Sequence, residues 1–360
     1  MSIDRTRGVA RGFSLIEFMV AMLLGTILIS GAVSVYLASK RSYVEVEQVG
    51  GLSENGRFAL QIMKDSLLHA GFYGPMRPGD FSKDVNLGAV TNDCTGNAAA
   101  YGLTDYFFSA RTTGDPGKAL SDCITDAVTN TNVLVVKYLV PSPIYDADPD
   151  DPNAPTDGVL SFPGPLLATE TYAIVNSEYG LLLDGADSAS APDVSEGETY
   201  GRGVAWPYRF EIYYVRRVSV GDGFMPTLAR KTLRWNGSAM DILTEDLVEG
   251  VELFYLRFGI TNAGSGEVEG YTSLADLNGD GDLSLLGTAK TWDQVDSIEA
   301  FVLVRSATED PLYTDSKTYN LGDVSITPSS QVNYSVNVRR LMMRSNISLR
   351  NPKLVIRGGA

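Results

Sequence analysis

The sequence predicts an α+β protein in which a long amino-terminal helix packs on a carboxy-terminal antiparallel β-sheet head with large loop insertions. Two observations predict this division. Residues 13–38 are almost entirely apolar, and helical spacing of apolar residues continues to residue 72. After Pro75, short β-branched and aromatic runs alternate with stretches rich in Gly, Pro, Asp and Ser. A chain of 360 residues is long enough to bury a substantial core.

The amino-terminal part begins with basic residues and continues with an apolar run long enough to cross a bilayer. Because Arg5, Arg7 and Arg11 precede that run, the positive-inside rule places the amino terminus in the cytoplasm and exports the remainder. Four segments are therefore expected: a basic leader at 1–12, a transmembrane helix at 13–38, a periplasmic continuation of the helix at 39–72 and a β-rich globular head at 73–360.

The second half of the predicted helix is amphipathic. Leu60, Met63 and Leu67 recur at helical spacing, with Arg57 and Lys64 off that stripe. We expect the stripe to hold the head on the helix, and His69 to be a packed residue of this region. Three glycines weaken the middle of the helix and favour a kink there: Gly50, Gly51 and Gly56.

Six segments of the head have strand character, and several of them alternate apolar and polar residues as a half-buried antiparallel sheet does. These predicted strands are Val133–Val140, Phe210–Val218, Leu228–Leu233, Val251–Phe258, Ile298–Ser306 and Val332–Val338. The stretches 141–165 and 184–203 are expected to be loops. One head with loop insertions is the favoured arrangement, and two subdomains are the alternative.

Composition argues against several classes of function. The formal charge of −15 repels phosphate backbones, so general nucleic-acid binding is not expected. One histidine and two cysteines are too few for a common structural zinc site or a haem motif. The sequence contains neither a phosphate-binding G-x-x-x-x-G-K-[ST] loop nor H-E-x-x-H. Composition leaves carboxylate-based or Tyr/Lys-based catalysis open, but no motif indicates it, and we expect a protein that is not an enzyme.

Glu17 is the single charge in the apolar run Phe13–Ala38. A carboxylate within a membrane costs several kcal/mol unless it is paired or near the interface, so it is a functional candidate. A cleaved secretory signal and a plain membrane anchor are the alternatives. The run is too long for a typical signal core, and neither alternative explains the acid.

The sequence RGFSLIE, from Arg11 to Glu17, resembles the type IV prepilin cleavage motif. The resemblance implies cleavage between Gly12 and Phe13 by a prepilin peptidase, which would also N-methylate Phe13. It further implies that Glu17 pairs with the mature amino terminus of a neighbouring subunit in the filament. Such a pairing would give the buried acid a cation and help to set the axial register.

Further segments along the chain resemble the PilW family of type IV fimbrial biogenesis proteins. They are Gly51–Gly74, Tyr208–Arg217, Pro226–Arg230, Leu247–Gly259, Val295–Ser306 and Arg339–Pro352, together with the DLNGDGD segment. The resemblance spans most of the chain except the insertions around 141–203. It implies a minor pilin that primes assembly of the pilus (fimbrium) and sits near its tip, with cell adhesion and twitching motility as the processes served.

The same resemblance implies partners and a location. The partners are other minor pilins, the major pilin, prepilin peptidase and the inner-membrane assembly platform, with a large tip adhesin as a further candidate. The protein would be a single-pass protein of the bacterial inner membrane, with its head in the periplasm, and would then move to the pilus. A J-type minor pseudopilin of type II secretion is the alternative, and a membrane-anchored periplasmic enzyme is a third hypothesis.

An acidic loop is the strongest small-ligand signal. Oxygen-bearing side chains occupy positions 1, 3, 5 and 7 of a calcium-loop pattern: Asp276, Asn278, Asp280 and Asp282. Position 12 is Gly287, where an EF-hand has Glu, so the remaining ligands would come from Asp293 or Asp296, or from backbone and water. The loop predicts one bound Ca²⁺, with a solvated turn between strands as the alternative.

Cys94 and Cys123 are the two cysteines of the chain and lie in its predicted exported part. Disulfides form and persist in oxidising compartments such as the periplasm. We therefore expect Cys94 and Cys123 to pair, with two unpaired thiols as the alternative.

Overall fold

The computed structural model describes residues 12, 14–261, 268–274, 292–331 and 334–351. The chain forms two units, Met1–Gly51 and Leu52–Ala360, and one helix, α1 (Leu15–His69), supplies residues to both. The second unit is mostly β-sheet, so the predicted α+β class is confirmed.

The first unit consists, in its described part, of the amino-terminal portion of α1. Its apolar side chains are exposed, among them Phe18, Leu23 and Leu28. Within the described residues, α1 is the one helix that is long and apolar enough to cross a membrane. Exposed apolar surface on this scale is stable only where lipid or other apolar helices cover it.

The second unit contains sixteen strands within the described residues. They are β1 (Phe81–Lys83), β2 (Phe107–Arg111), β3 (Gly117–Ala119), β4 (Ile124–Ala127), β5 (Asn132–Leu139), β6 (Thr171–Val175), β7 (Gly180–Asp184), β8 (Val204–Val220), β9 (Gly223–Trp235), β10 (Met240–Glu249), β11 (Val251–Thr261), β12 (Val268–Thr272), β13 (Val295–Arg305), β14 (Tyr319–Asn320), β15 (Ser325–Ile326) and β16 (Arg340–Ser348). Short 3₁₀ helices lie at Pro78–Asp80, Gly96–Ala98, Gly185–Ser190, Trp292–Gln294 and Pro328–Ser330.

The larger sheet has ten strands, with β8 at its centre. Strand β8 pairs antiparallel with β5, β6 and β9, and β9 pairs in turn with β10. Leu60, Met63 and Leu67 of α1 are buried in the main core together with residues of this sheet. The predicted amphipathic stripe is therefore the surface that joins the helix to the head.

The smaller sheet has four strands in the order β12-β11-β13-β16. Alternate residues of its strands point to opposite faces. Phe254 and Val302 belong to the main core beside α1, whereas Tyr255 and Phe301 pack in a separate cluster with Tyr319 of β14. The sheet thus lies between α1 and the segment that carries β14 and β15, which explains why its two central strands, β11 and β13, are buried on both faces.

Gly56 permits close contact between α1 and this smaller sheet. A Cβ atom at Gly56 would meet the Met343 sulfur at 2.5 Å and Val304 at 3.3 Å. The helix continues through this position without interruption. Gly56 therefore serves close packing between the helix and the sheet.

The helix ends at His69, before the expected boundary at residue 72. Gly71 follows with φ of +70°, a left-handed conformation that glycine adopts readily. A Cβ atom there would lie 2.6 Å from the Tyr106 ring. Backbone geometry and packing therefore both require glycine where α1 gives way to the head.

One predicted strand is wrong. Residues 334–338 of the predicted strand Val332–Val338 are not in a strand, and residues 332 and 333 lie outside the described part. The last strand is instead β16, which pairs with β13 from Arg340↔Arg305 to Ser348↔Ser297. The other five predicted strands overlap β5, β8, β9, β11 and β13.

Candidate functional site

The first turn of α1 carries the residues of the predicted processing and assembly site. Gly12 is exposed, Phe13 lies outside the described residues, and the helix begins at Leu15. The Ser14 hydroxyl accepts a hydrogen bond from the Glu17 backbone N–H at 3.2 Å. The Glu17 carboxylate in turn accepts from the Ser14 N–H at 3.4 Å. The two residues form a capping box, in which each side chain satisfies a backbone donor of the other.

Ser14 was not among the residues singled out from the sequence. The S-x-x-E spacing at the start of an apolar run was the signal that could have identified it. The cap keeps the Glu17 carboxylate on the first turn, where the helix dipole favours negative charge. A carboxylate held there, next to exposed apolar side chains, is available to pair with a cation from another chain.

A buried polar cluster joins α1 to β8. Glu211 accepts hydrogen bonds from Ser66 of the helix at 2.5 Å and from Tyr213 at 3.1 Å. Its other oxygen accepts from Arg230 of β9 at 2.7 Å. Burial raises the pKa of Tyr138 and Tyr213, and the negative charge of Glu211 raises it further. Both phenols therefore stay protonated and donate hydrogen bonds to Glu211. The cluster fixes one position of the helix along the sheet.

His69 lies beside this cluster and has the packing role expected for it. Its ring stacks on Tyr138 with the centroids 5.6 Å apart. Its Nδ1 atom is 2.8 Å from the Asp65 carbonyl, one turn earlier in α1.

A second ionic cluster holds the carboxy-terminal region on the smaller sheet. The Arg340 side chain of β16 is fully buried and pairs with Glu252 of β11 and with Asp315 at 3.1 Å. Farther on, the Asn351 amide donates to the carbonyls of Leu68 and Ala70, at 3.4 and 3.2 Å. The end of the described chain is thus tied to the end of α1.

The structure joins Cys94 and Cys123 in a disulfide, with Cα atoms 5.3 Å apart. Cys94 opens a connector, residues 94–102, that surrounds the buried Lys137 side chain. The Lys137 ammonium donates to the carbonyls of Asn97, Ala99 and Gly102 at 2.9, 2.9 and 2.6 Å. Burial lowers the pKa of Lys137 to about 7. Sequence reasoning missed this lysine because it lies in an otherwise apolar strand.

The predicted calcium ligands Asp276, Asn278, Asp280 and Asp282 lie outside the described residues, as does the Asp293 side chain. Asp296 is buried in β13, and its backbone carbonyl accepts from the Leu349 N–H at 2.8 Å. Within the described residues, no group of three or more His, Cys, Asp or Glu side chains is arranged to hold a metal ion. Calcium binding stays a prediction.

Comparison with protein families gives two matches. The family "Type IV Pilus-assembly protein W" (PilW) matches residues 212–351, and the "Prokaryotic N-terminal methylation motif" matches residues 7–33. These two matches support a PilW-like type IV pilin. The methylation motif contains Gly12, Phe13 and Glu17, and the PilW match runs from β8 to Asn351. These matches do not favour the type II secretion pseudopilin.

Two further comparisons add little to this identification. No curated protein sequence matches this PilW-like pilin. Among solved structures, a type IV-like pilin from Thermus thermophilus matches with 13% identity over 51% of this chain and 85% of its own, with a TM-score of 0.21. That TM-score is too low for the similarity to bear on the fold.

Proposed function

We propose that this PilW-like pilin is a minor pilin that acts in type IV pilus assembly. Prepilin peptidase cuts between Gly12 and Phe13 and methylates the new amino terminus. The mature subunit then enters the pilus near its tip, where Glu17 pairs with the amino terminus of a neighbouring subunit. The observation that carries this proposal is the methylation motif at residues 7–33, on a helix whose apolar side chains are exposed.

The capping box supports the assigned role of Glu17. Its carboxylate accepts one backbone N–H and has lone pairs left for a second partner. A carboxylate on an apolar helix is unfavourable in a bilayer unless it finds a cation. A filament supplies that cation as the amino terminus of another chain, so pairing favours the assembled state.

The joint between helix and head supports a structural role for the protein. Core packing, the Ser66–Glu211 hydrogen bond and the Asn351 contacts attach the head to α1 at several points. Displacement of a helix joined in this way carries the head with it. Movement of the helix out of the membrane during assembly would therefore deliver the head to the filament.

The proposal includes a location and a set of partners. The protein spans the inner membrane once, with its head in the periplasm, until it enters the pilus. Its partners are the prepilin peptidase, the major and other minor pilins, the inner-membrane assembly platform and a large tip adhesin. The function is assembly of a filament and not catalysis.

Deletion of the gene in the organism of origin tests this function. Surface pili should be lost or reduced, the other minor pilins should fail to assemble, and the wild-type gene should restore both. Type II secretion of an exported enzyme, measured in the same strains, is the control. Normal pili with defective secretion would overturn the proposal and assign the protein to the secretion machine.

A further inference from the structure

The long strand β8 changes its neighbour part-way along one edge. Ala205 pairs with Ile174 of β6 on this edge and with Ile144 on the other. Pairing with β6 ends at Pro207, and pairing with β9 begins at Glu211. Strand β9 pairs with the edge of β8 that is opposite to β5, and β6 pairs with that same edge. Strands β6 and β9 therefore lie end to end along β8.

A crevice of about 340 Å³ lies at this junction. Its size falls within the range of small-molecule sites. Residues before β6, the middle of β8 and the end of β9 line it, so its walls are rigid strands and their immediate ends. It is distant in sequence from Gly12 and Glu17, and the proposed assembly function does not use it.

The crevice is lined by paired opposite charges. Arg209 pairs with Glu170, and Arg230 pairs with Glu211. Arg234 pairs with Glu245 at 2.7 Å, which balances its charge as well. A phosphate or another strong anion would meet the carboxylates as well as the guanidinium groups, so it would gain little.

The same side chains keep unused hydrogen-bonding capacity. Each guanidinium has five N–H donors, and at Arg209 it is Nη1 that donates, to Glu170 and to the Tyr208 carbonyl. The Thr232 side chain lines the same wall. A guanidinium can donate hydrogen bonds to the vicinal hydroxyls of a ligand, and a carboxylate can accept hydrogen bonds from them. The half-buried Trp235 adds an aromatic surface, which suits the C–H face of a ring.

We propose that this crevice binds a neutral sugar residue. Sugar hydroxyls both donate and accept, so one ring can use arginine donors and glutamate acceptors together without introducing net charge. Its apolar C–H face lies against Trp235. The binding goes beyond pilus assembly, since it gives the head a means of contact with a glycan surface.

The test uses full-length protein in lipid nanodiscs, because the sugar headgroups of maltoside and glucoside detergents would compete with the added sugars for the crevice. Saturation-transfer NMR and calorimetric titration are run with glucose, galactose, mannose, N-acetylglucosamine and lactose. Glucuronic acid and inorganic phosphate are the anionic comparators. The variants are Arg209→Gln and Trp235→Leu. Arg217→Gln is the matched control, because Arg217 is on the same strand and pairs with Asp115 outside the crevice.

At least one neutral sugar should bind saturably, and Arg209→Gln and Trp235→Leu should each weaken binding by about tenfold or more. Arg217→Gln should bind like the wild type. Circular dichroism and melting curves show whether each variant is folded, and Thr232→Val replaces any variant that is not. No saturable binding of any neutral sugar, preference for phosphate, or equal weakening by the Arg217 control would each overturn the proposal.

Discussion

Ser14 and Glu17 cap the first turn of α1 reciprocally, each through its side chain and the backbone N–H of the other. Glu17 therefore has two separable roles. One is local, because its side chain helps to start the helix. The other depends on charge, because a carboxylate can pair with a cation in a filament. A substitution that keeps the cap and removes the charge distinguishes the two roles.

Glu17→Gln is that substitution, since glutamine also serves at this position of a capping box. We expect Glu17→Gln to be processed normally but to enter pili poorly, as Glu17→Ala should. The reason is that neither side chain can pair with the amino terminus of a neighbour. The measurement is the ratio of the protein in sheared pili to that in membranes, determined by immunoblot.

Ser14→Ala is the matched control. It removes one capping interaction, worth about 0.5–2 kcal/mol of helix stability, and leaves the Glu17 carboxylate in place. Incorporation should stay near the wild-type level. If Glu17→Gln assembled normally while Ser14→Ala did not, the charge would have no role and Glu17 would be only a capping residue.

The sequence predicted the parts of the fold that follow from local periodicity. The helix stripe through Leu60 and Met63 is correct, and five of the predicted strands overlap observed ones, because a run such as Val251–Phe258 has strand character by itself. Strand β16 was missed because its mixed residues, RLMMRSNIS, owe their strand structure to pairing with β13.

The residues of the candidate site and of the buried polar clusters divide in the same way. Gly12, Phe13 and Glu17 form a contiguous motif that can be read from the sequence. Glu211 and Lys137 could not be identified, because their partners are distant along the chain. Glu211 meets Ser66 across 145 residues, and Lys137 meets Asn97 across 40. The periodicity of the sequence predicts a strand at both positions, but it cannot show that the protein interior around Glu211 and Lys137 is polar.

Lys137 makes the stability of the head depend on pH. Burial lowers its pKa from 10.5 to about 7, although Asp105 and Asp93 oppose the shift. Between these values the unfolded state binds a proton that the folded state does not, so the free energy of unfolding should rise with pH. The slope from this group approaches about 1.4 kcal/mol per pH unit.

Urea unfolding at several pH values from 7 to 9 measures this slope, since tyrosines are still largely protonated there in both the folded and the unfolded state. Lys137→Met should be less stable, because three buried carbonyls lose their donor, and its unfolding free energy should rise less with pH. Equal slopes for the wild type and Lys137→Met would show that Lys137 keeps its proton in the folded head.

The disulfide predicts both protection from alkylation and a gain in stability. In protein denatured without reductant, Cys94 and Cys123 should not react with iodoacetamide, whereas both should react after reduction. Replacing both with alanine should lower the free energy of unfolding by about 3–4 kcal/mol. Complete labelling without reductant would show that the two thiols are free.

Calcium should stabilise the head through Asp276, Asn278, Asp280 and Asp282. Binding to the folded state alone raises stability by about 2.7 kcal/mol at a hundredfold excess over Kd, and the missing position-12 Glu predicts a Kd of about 10⁻⁴–10⁻³ M. In a fragment of residues 40–360, which keeps the helix residues that pack in the head, millimolar Ca²⁺ should raise the Tm. Asp280→Ala should abolish that rise.

Asp148→Ala is the control for calcium, because Asp148 belongs to another acidic loop, where its carboxylate accepts the Asp150 N–H at 2.9 Å. This variant should respond to Ca²⁺ like the wild type. A wild-type melting curve and calorimetric trace unchanged by millimolar Ca²⁺ would mean that residues 276–282 form only a turn.

The amino terminus of the mature protein tests the central claim most directly. A side chain added at Gly12 would meet no atom of the described residues within 4 Å, so a bulky substitution there tests recognition by the peptidase and not folding. Mass spectrometry of protein extracted from membranes and pili should find N-methyl-Phe13 as the first residue, and Gly12→Val should keep its leader. An intact leader in the wild type, or a cut after Ala38, would contradict the assignment of this chain as a processed type IV pilin.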